Sequence, residues 1–599
     1  MNTSETIFSI TNKKKTTSFL YTPIFKALTI LLLLGPINSL PAQIELPYKN
    51  NQTLPYDRVI ELYQQLDREF KTAMLIETGT TDVGKPLHLF IISKDQVFEP
   101  EQVKKEGKRV VFILNGIHPG ESCGVDASLL FADDLLRNKN NMGDYLDNTV
   151  VCIVPVYNVG GYLKRSAWNR ANQVGPEETG FRGNARNLDL NRDFIKTDTK
   201  NARSFTTTFR AWDPDVFLDT HTTDGSDHQY TITLIATNSQ KIHPLAGQFM
   251  DKEFVPGLYR LMKETPYELT PYVNYIISSP ENGITGYNDL PRLSTGYASL
   301  FNTIAFMTEN HAYKPFPDRV ESVRYFMINL LKLTHENADE IGQIREQAKH
   351  ETSQQTEFHI EWELDTSRFE TITFKGYKRE KRTSPLTGQE MWYYNHNETY
   401  TKEIPYYKYF KPVKQVIKPD LYIIPQTWEH VIHRLELNNI KLRQLQTDTV
   451  IRVEAYYIDD VQTSGQLNNG HYKHDKVTTR TEVQEIQFFK GDYLIPVDQP
   501  ENRFIIETLE PEAQDSYFSW NFFDPILERR EYFSPATFDT MAIGILDSDP
   551  VLKRDYVRKM ETDPDFSGSY YAQMSFIYSR SKWAETSYRR YPVYRWIKN

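Results

Sequence analysis

The sequence predicts an α/β fold, a mixed and largely parallel sheet with helices on both faces, followed by a β-rich C-terminal region. Three observations predict it. Between residues 50 and 350, unbroken apolar runs such as "RVVFILN" and "TVVCIVPVYN" alternate with longer stretches of helical spacing. Such runs are the mark of strands buried on both faces and joined by crossover helices. After the polar stretch "HETSQQTE" the alternation gives way to short runs rich in Tyr, Phe, Thr and Ile, broken by Gly, Pro, Asn and Asp. Finally, 599 residues exceed what one ordinary core holds. The reading is therefore an α/β domain over 50–350 and a β-rich accessory region over 356–599.

In chain order, the first element is an export signal. Lys13, Lys14 and Lys15 precede the apolar stretch "ALTILLLLG", and Ala42 ends a small-residue cleavage site, so residues 1–42 read as a signal peptide that is removed. The apolar stretch is about half the length of a bilayer span, and no later run is long enough for one. The expected product is secreted or periplasmic, with no membrane span.

Next come "RVVFILN" and then Val125, Leu129, Ala132, Asp133 and Leu136 at helical spacing after Gly124. "TVVCIVPVYN" completes a strand–helix–strand unit. "PDVFLDTH" and "NTIAFMTEN" read as two more buried strands, and "RVESVRYFMINLLKLTHENADEIGQI" as one closing helix. In the second region "ETITFKGY", "TVIRVEAYYI", "EVQEIQFF" and "NRFIIETLE" read as strands.

Composition excludes some partners. A net charge of -10 argues against nucleic acid as a partner, because phosphate needs a basic face. With two cysteines, Cys123 and Cys152, both beside apolar elements, disulfides are not the framework, and buried free thiols are expected.

The chemistry-bearing stretch is "HPGESCG", which places His118 and Glu121 three residues apart at the end of an apolar run. It fits either a metal-binding turn or a Gly-x-Ser-x-Gly elbow around Ser122. In an elbow the strand runs straight into the first glycine, whereas "GIHPG" intervenes here, which counts against the serine. In open α/β sheets reactive groups gather beyond the carboxyl ends of the strands. His118 and Glu121 follow one strand, His221 ends a second and Glu309 a third. Two imidazoles and a carboxylate suffice for catalytic zinc, and a further carboxylate can take a proton from water. A decoy, "HVIHRLE", with His430, His433 and Glu436, has no strand end or glycine turn around it and reads as ordinary helix surface.

Taken together, "HPGE", "NARNLDLNRDF", "LDTHT" and "FMTEN", in that order, resemble the zinc carboxypeptidase family, the carboxypeptidase A-like metallopeptidases, of a bacterial secreted type. The resemblance implies one Zn²⁺ per chain held by His118, Glu121 and His221, with Glu309 as the general base. Asn191 and Arg192 would grip the substrate's terminal carboxylate. Asp189 would accept the free ring N–H of His118. Arg170, with Arg165 as rival, would polarise the scissile carbonyl, and Tyr287, with Tyr297 as rival, would cap the substrate. "NVGG" at Asn158 to Gly161 replaces the family's usual "NPDG", and Arg292 lies in the stretch that lines the side-chain pocket, where it would favour an acidic terminal residue or simply be solvated.

The expected activity is hydrolysis of the C-terminal peptide bond of a peptide with a free carboxylate, by water that Glu309 activates at zinc. Alternatives are a cell-wall peptide or acyl-amino acid amidohydrolase using the same site, a non-catalytic binding protein, and a serine hydrolase using Ser122. The aromatic-rich C-terminal region is expected to stabilise the first or to dock on a protein or glycan.

Overall fold

The computed structural model describes residues 43–273 and 279–598; the expected signal peptide lies outside them. The central sheet of the described residues has eight strands. They are β1 (Ala73–Thr80), β2 (Pro86–Ile92), β3 (Arg109–Leu114), β4 (Thr149–Val154), β5 (Val216–Thr223), β6 (Ile232–Ala236), β7 (Leu269–Pro271) and, after the short β8 (Ile284–Thr285), β9 (Ile304–His311). Their order is β1-β2-β4-β3-β5-β9-β6-β7. The middle, β4-β3-β5-β9, is parallel, whereas β2 and β6 join it antiparallel and β1 pairs antiparallel with β2. The four parallel strands are the apolar runs read from sequence. Every residue of β4 is buried, as a strand covered on both faces requires.

One face of the sheet is covered by helices Cys123–Leu136 and Phe316–Glu336. The first is apolar nearly all round because it is sandwiched between the sheet and the second helix. Two of its three buried acids are matched by arginines: Asp133 by Arg137 at 2.7 Å, and Asp134 by Arg324. At its start a side chain on Gly124 would strike Thr220, so the helix reaches the sheet only with glycine there. The closing helix of the sequence reading is two helices, Phe316–Glu336 and Ala338–Gln354, broken at Asn337. Asn337 leaves the helical region and its side chain bonds the Leu333 carbonyl at 2.8 Å, a local bond that competes with the helix.

Asp126, in the same sandwiched helix, has its carboxyl pushed up to about 7 by burial; the Thr53 hydroxyl and the Arg165 charge only partly offset this. The folded state holds this proton more tightly than the unfolded chain, whose value is 3.8. The penalty is therefore absent below pH 4 and grows as pH rises towards 7. Asp126→Asn is expected to stabilise the protein by about 1–4 kcal/mol at pH 8 and by little at pH 4. Urea unfolding at both pH values checks this; an equal effect at both would contradict it.

The C-terminal region carries β10 (Glu357–Leu364), β11 (Glu370–Thr383), β12 (Glu390–Tyr407), β13 (Phe410–Ile417), β14 (Leu421–Ile424), β15 (Arg443–Gln444), β16 (Thr449–Thr463), β17 (His474–Phe488), β18 (Tyr493–Pro496) and β19 (Tyr594–Trp596). Long antiparallel hairpins β11–β12 and β16–β17 dominate it, and β12 pairs with β8 of the first half. "NRFIIETLE" is a helix, Asn502–Leu509, not a strand. Its apolar residues stand as a continuous block, a pattern without period, and packing decides: Phe504, Ile505, Ile506 and Leu509 are all buried in the cluster beneath the sheet. That cluster joins Phe112, Phe205, Phe209 and Phe217 of the first half to Ile424, Leu435, Trp520 and Tyr591 of the second. One continuous apolar core therefore runs between the two halves.

Candidate metal centre

Parallel pairing of β5 and β9 puts His221 directly beside Glu309 in register. The loop that leaves β3 for helix Cys123–Leu136 turns at His118, whose carbonyl accepts the Glu121 backbone N–H at 2.8 Å. Strand ends thus assemble residues up to 191 positions apart in sequence, from His118 to Glu309. His118, Glu121 and His221 are all buried and offer ligand atoms within 4.8 Å of one another.

The hydrogen bonds fix which atoms those are. His118 Nε2 meets Asp189 Oδ1 at 3.0 Å, and His221 Nε2 meets Asp219 Oδ2 at 2.8 Å. Each outer nitrogen has a carboxylate as acceptor, so each ring carries its proton there and presents Nδ1 as a lone pair. The two Nδ1 atoms face each other at 3.1 Å, and Glu121 lies 3.2 Å from the first and 3.0 Å from the second. Two lone pairs and a carboxylate at such distances repel unless a cation sits between them. Two imidazoles and a carboxylate with an open side match the donor set of catalytic zinc, so these residues fit a zinc ion.

Electrostatics agree. Burial opposes charge on Glu121, yet the positive charges of Arg170 and of His118 when protonated, with the hydrogen bonds both rings donate whenever Nδ1 carries a proton, outweigh it and hold the carboxyl well below the usual range. Burial likewise disfavours a charged His221, but Asp219 and Glu121 outweigh it and raise its affinity for a proton. Proton and metal therefore compete for the same Nδ1. Glu309 behaves oppositely: burial, with Glu121 and Asp219 nearby, pushes its carboxyl up to about 8 against the pull of His221 and Arg182. Its Oε2 is buried without a hydrogen-bond partner, a free acceptor beside the histidine.

The remaining expected residues fall as follows. Asp189 meets His118; burial resists its charge, but His118, Arg182 and Arg192 keep it ionised. Arg170 is drawn into the site, with Nη1 3.0 Å from Glu121 and Nη2 3.3 Å from the Thr222 carbonyl. Its rival Arg165 instead bonds the Thr53 and Leu54 carbonyls. Sequence reasoning missed Arg182, which lies 2.9 Å from Asp189 and 3.5 Å from Glu121, with its side chain 46% exposed. Asn158 ties this segment down: its Nδ2 donates to the carbonyls of Ile117 and Arg182, both at 3.1 Å. "NVGG" therefore does more than turn the chain. Asp219, two residues before His221, was also passed over; its only sequence signal is the neighbourhood of the histidine.

Tyr287 stacks edge-on to Tyr272 at 5.9 Å, and its hydroxyl feels Glu309 and Arg192. With Arg192, Arg292 and Leu293 it lines a cavity of about 530 Å³. Tyr297 is wholly buried, bonded to Asn438 at 2.6 Å, and lies in the core. Arg292 is neither solvated nor an unmatched cation: its backbone N–H and guanidinium meet Asp515 of the C-terminal region at 2.9 and 3.2 Å, over the Trp520 ring. Asn191, 4% exposed, has Oδ1 accepting the Ser294 N–H at 3.2 Å and Nδ2 3.5 Å from His221 Nε2. Arg192 lines two cavities and donates to the Asn191 carbonyl at 2.7 Å.

The serine reading finds no base. Ser122 Oγ is buried without a partner and its backbone is right-handed helical, not an elbow. The His430–Glu436 decoy lies on helix Glu429–Leu437, where His430 bonds the Phe522 carbonyl. Cys123 and Cys152 are free and buried, as expected.

A mixed sheet whose parallel strand ends gather a buried His-Glu-His cluster beside a carboxylate is an arrangement able to hold a metal ion next to a proton acceptor. The model of the zinc carboxypeptidase family matches residues 59–237, the segment that holds His118, Glu121, Asp189, Arg192 and His221, and it supports that family. The chain is 21% identical over 427 residues to carboxypeptidase 2 of Trichophyton rubrum, covering 68% of this chain and 73% of the relative. It is 22% identical over 445 residues to carboxypeptidase 2 of Trichophyton equinum, covering 72% and 76%. These relatives are fungal. Among solved structures, carboxypeptidase A of Helicoverpa armigera aligns with TM-score 0.38 at 16% identity over 50% of this chain and 76% of its own.

Proposed function

We propose that this chain is a zinc metallocarboxypeptidase that hydrolyses the C-terminal bond of a peptide. The observation that supports it most is the convergence of two bare Nδ1 atoms and a carboxylate within 4.8 Å, beside Glu309 in strand register. Zinc held by His118, Glu121 and His221 would polarise the scissile carbonyl and make water acidic enough to attack at mild pH.

The chain's own groups do the rest. With a cation at the site to offset Glu121 and Asp219, Glu309 is ionised, accepts the proton of the attacking water on Oε2 and returns it to the leaving amine, because one carboxylate can serve both steps. Arg182 is exposed enough to meet the developing oxyanion, an interaction worth roughly 3 kcal/mol in comparable sites. Arg170, locked on Glu121 and Thr222, orients the carboxylate ligand. Arg192 grips the terminal carboxylate through its planar fork of donors. Tyr287, on the rim of the neighbouring cavity, covers the bound residue.

The test is release of the terminal amino acid from a peptide with a free C-terminus and from its amidated twin. Release from the free peptide alone, abolished by 1,10-phenanthroline and restored by zinc, is expected. Equal cleavage of both peptides, or indifference to the chelator, would overturn the reading.

A further inference from the structure

The cavity of about 530 Å³ beside Tyr287 is lopsided in charge. Among the described residues, Arg192 and Arg292 line it and no carboxylate does. Leu290, Leu293, Leu364 and Phe410 supply apolar wall, the last two from the C-terminal region. Burial raises the Tyr287 hydroxyl's hold on its proton, and beyond burial that hydroxyl feels the charges of Arg192, Glu309, Asp289 and Arg292. The cavity and the catalytic carboxylate are therefore neighbours.

Asp515 matches Arg292 along one edge only. Its Oδ1 lies 3.2 Å from Nε, and its Oδ2 accepts the Arg292 backbone N–H at 2.9 Å. Nη1 and Nη2 have no hydrogen-bond partner among the described residues; Nε is buried whereas they are not, and the side chain is 17% exposed. The Asp515 side chain has no exposed surface, so it cannot itself turn into the cavity. It is also shared. Lys196, Arg292 and Lys473 all lie over the Trp520 ring, at 4.1, 5.3 and 5.8 Å, and the indole N–H donates to Asp515 at 3.2 Å. Burial is the main reason both lysines hold their protons less tightly; Asp515 opposes it, as do Asp193 and Asp198 at Lys196, and Arg292 adds to it. The other acid nearby, Asp289, is equally enclosed and pairs with Lys241 at 3.2 Å.

A guanidinium fixed at Nε presents its two Nη groups as a fork, the geometry that grips a carboxylate through two parallel bonds. Beside leucine and phenylalanine walls, such a fork suits a side chain with a short methylene stem and an acidic end. A cationic end would meet two like charges instead. We infer that Arg292 is a specificity-determining residue, whose Nη fork receives the side-chain carboxylate of an acidic terminal residue while Arg192 holds the terminal carboxylate. The inference rests on the carboxypeptidase reading and narrows its substrates to peptides that end in glutamate or aspartate. Asp515 is then the residue through which the C-terminal region sets that preference, by holding the fork in place.

The experiment compares N-acetylated peptides that differ only in the last residue, Glu, Gln or Lys, as substrates of the full zinc-loaded chain. Calorimetric binding of the matching N-acetylated dipeptide acids is measured in parallel. The Glu peptide should exceed the Gln peptide about tenfold or more in kcat/KM, and the Lys peptide should be the poorest. In Arg292→Gln, and in the double variant that adds Asp515→Asn so that no carboxylate loses its arginine, the Glu-to-Gln ratio should fall to within about threefold of one. The ratio separates specificity from damage, since a general loss lowers both peptides alike, and the parent's own ratio needs no variant to fold. A parent ratio near one, or a variant that keeps the parent's ratio, would overturn the inference. Should the parent release no amino acid from any peptide, about tenfold tighter binding of the Glu-ended dipeptide, lost in the variants, would uphold the acidic pocket and overturn the hydrolase reading. Equal binding of the dipeptides in that case would overturn both.

Discussion

Glu309→Gln is expected to lower kcat by about 10³-fold or more while the protein retains its zinc. The substitution keeps the shape and one acceptor oxygen but cannot take a proton, and a positioned base contributes roughly 10²–10⁴-fold. Glu309 is not among the three groups that would hold a metal ion, so metal content should not move. Glutamine also relieves a local cost, since burial with Glu121 and Asp219 nearby already resists the carboxylate's charge. The variant should therefore be at least as stable as the parent. Metal analysis with a melting curve and a turnover assay on one preparation separates these effects. Full activity would remove Glu309 from the mechanism, and loss of zinc would make it a ligand.

His221→Ala should act at the other end of the account by emptying the site. The loss removes one of three donors and strands Asp219, whose Oδ2 would retain only the Ser294 hydroxyl of its two side-chain partners. Losing an outer partner alone typically costs 10–100-fold in metal affinity, so loss of a ligand should exceed that. The readout is thermal stability with and without zinc. A ligand at a hundred times its Kd stabilises the native state by about 2.7 kcal/mol, and a protein that cannot bind it gains nothing. The parent should melt higher with zinc and the variant should not. An equal gain in both would place the metal elsewhere.

Much of this site was legible because parallel sheets obey a positional rule. His118, Glu121, His221 and Glu309 each follow an apolar run, and strand ends in such sheets share one edge. Register then did the rest, setting His221 against Glu309. Arg182 was harder to read because it reaches the site through Asp189 and through the carbonyl that Asn158 holds, neither of which leaves a spacing signal. The contact of Asn469, at the tip of the β16–β17 hairpin, with the Asp189 backbone N–H at 2.7 Å was beyond reach for a plainer reason. Asn-Gly announces a tight turn, but nothing in a turn says what it will pack against 280 residues away. Elsewhere, runs without period misled: "NRFIIETLE" has the composition of a strand and the packing of a helix, and a closing helix read as continuous breaks where Asn337 bonds its own backbone.

The most direct measurement is diffraction from zinc-soaked crystals across the zinc absorption edge. The account predicts a single anomalous peak about 2.0–2.2 Å from His118 Nδ1, His221 Nδ1 and a Glu121 oxygen. A peak bonded to fewer than all three, or one seated anywhere else while this cluster stays vacant, would contradict it.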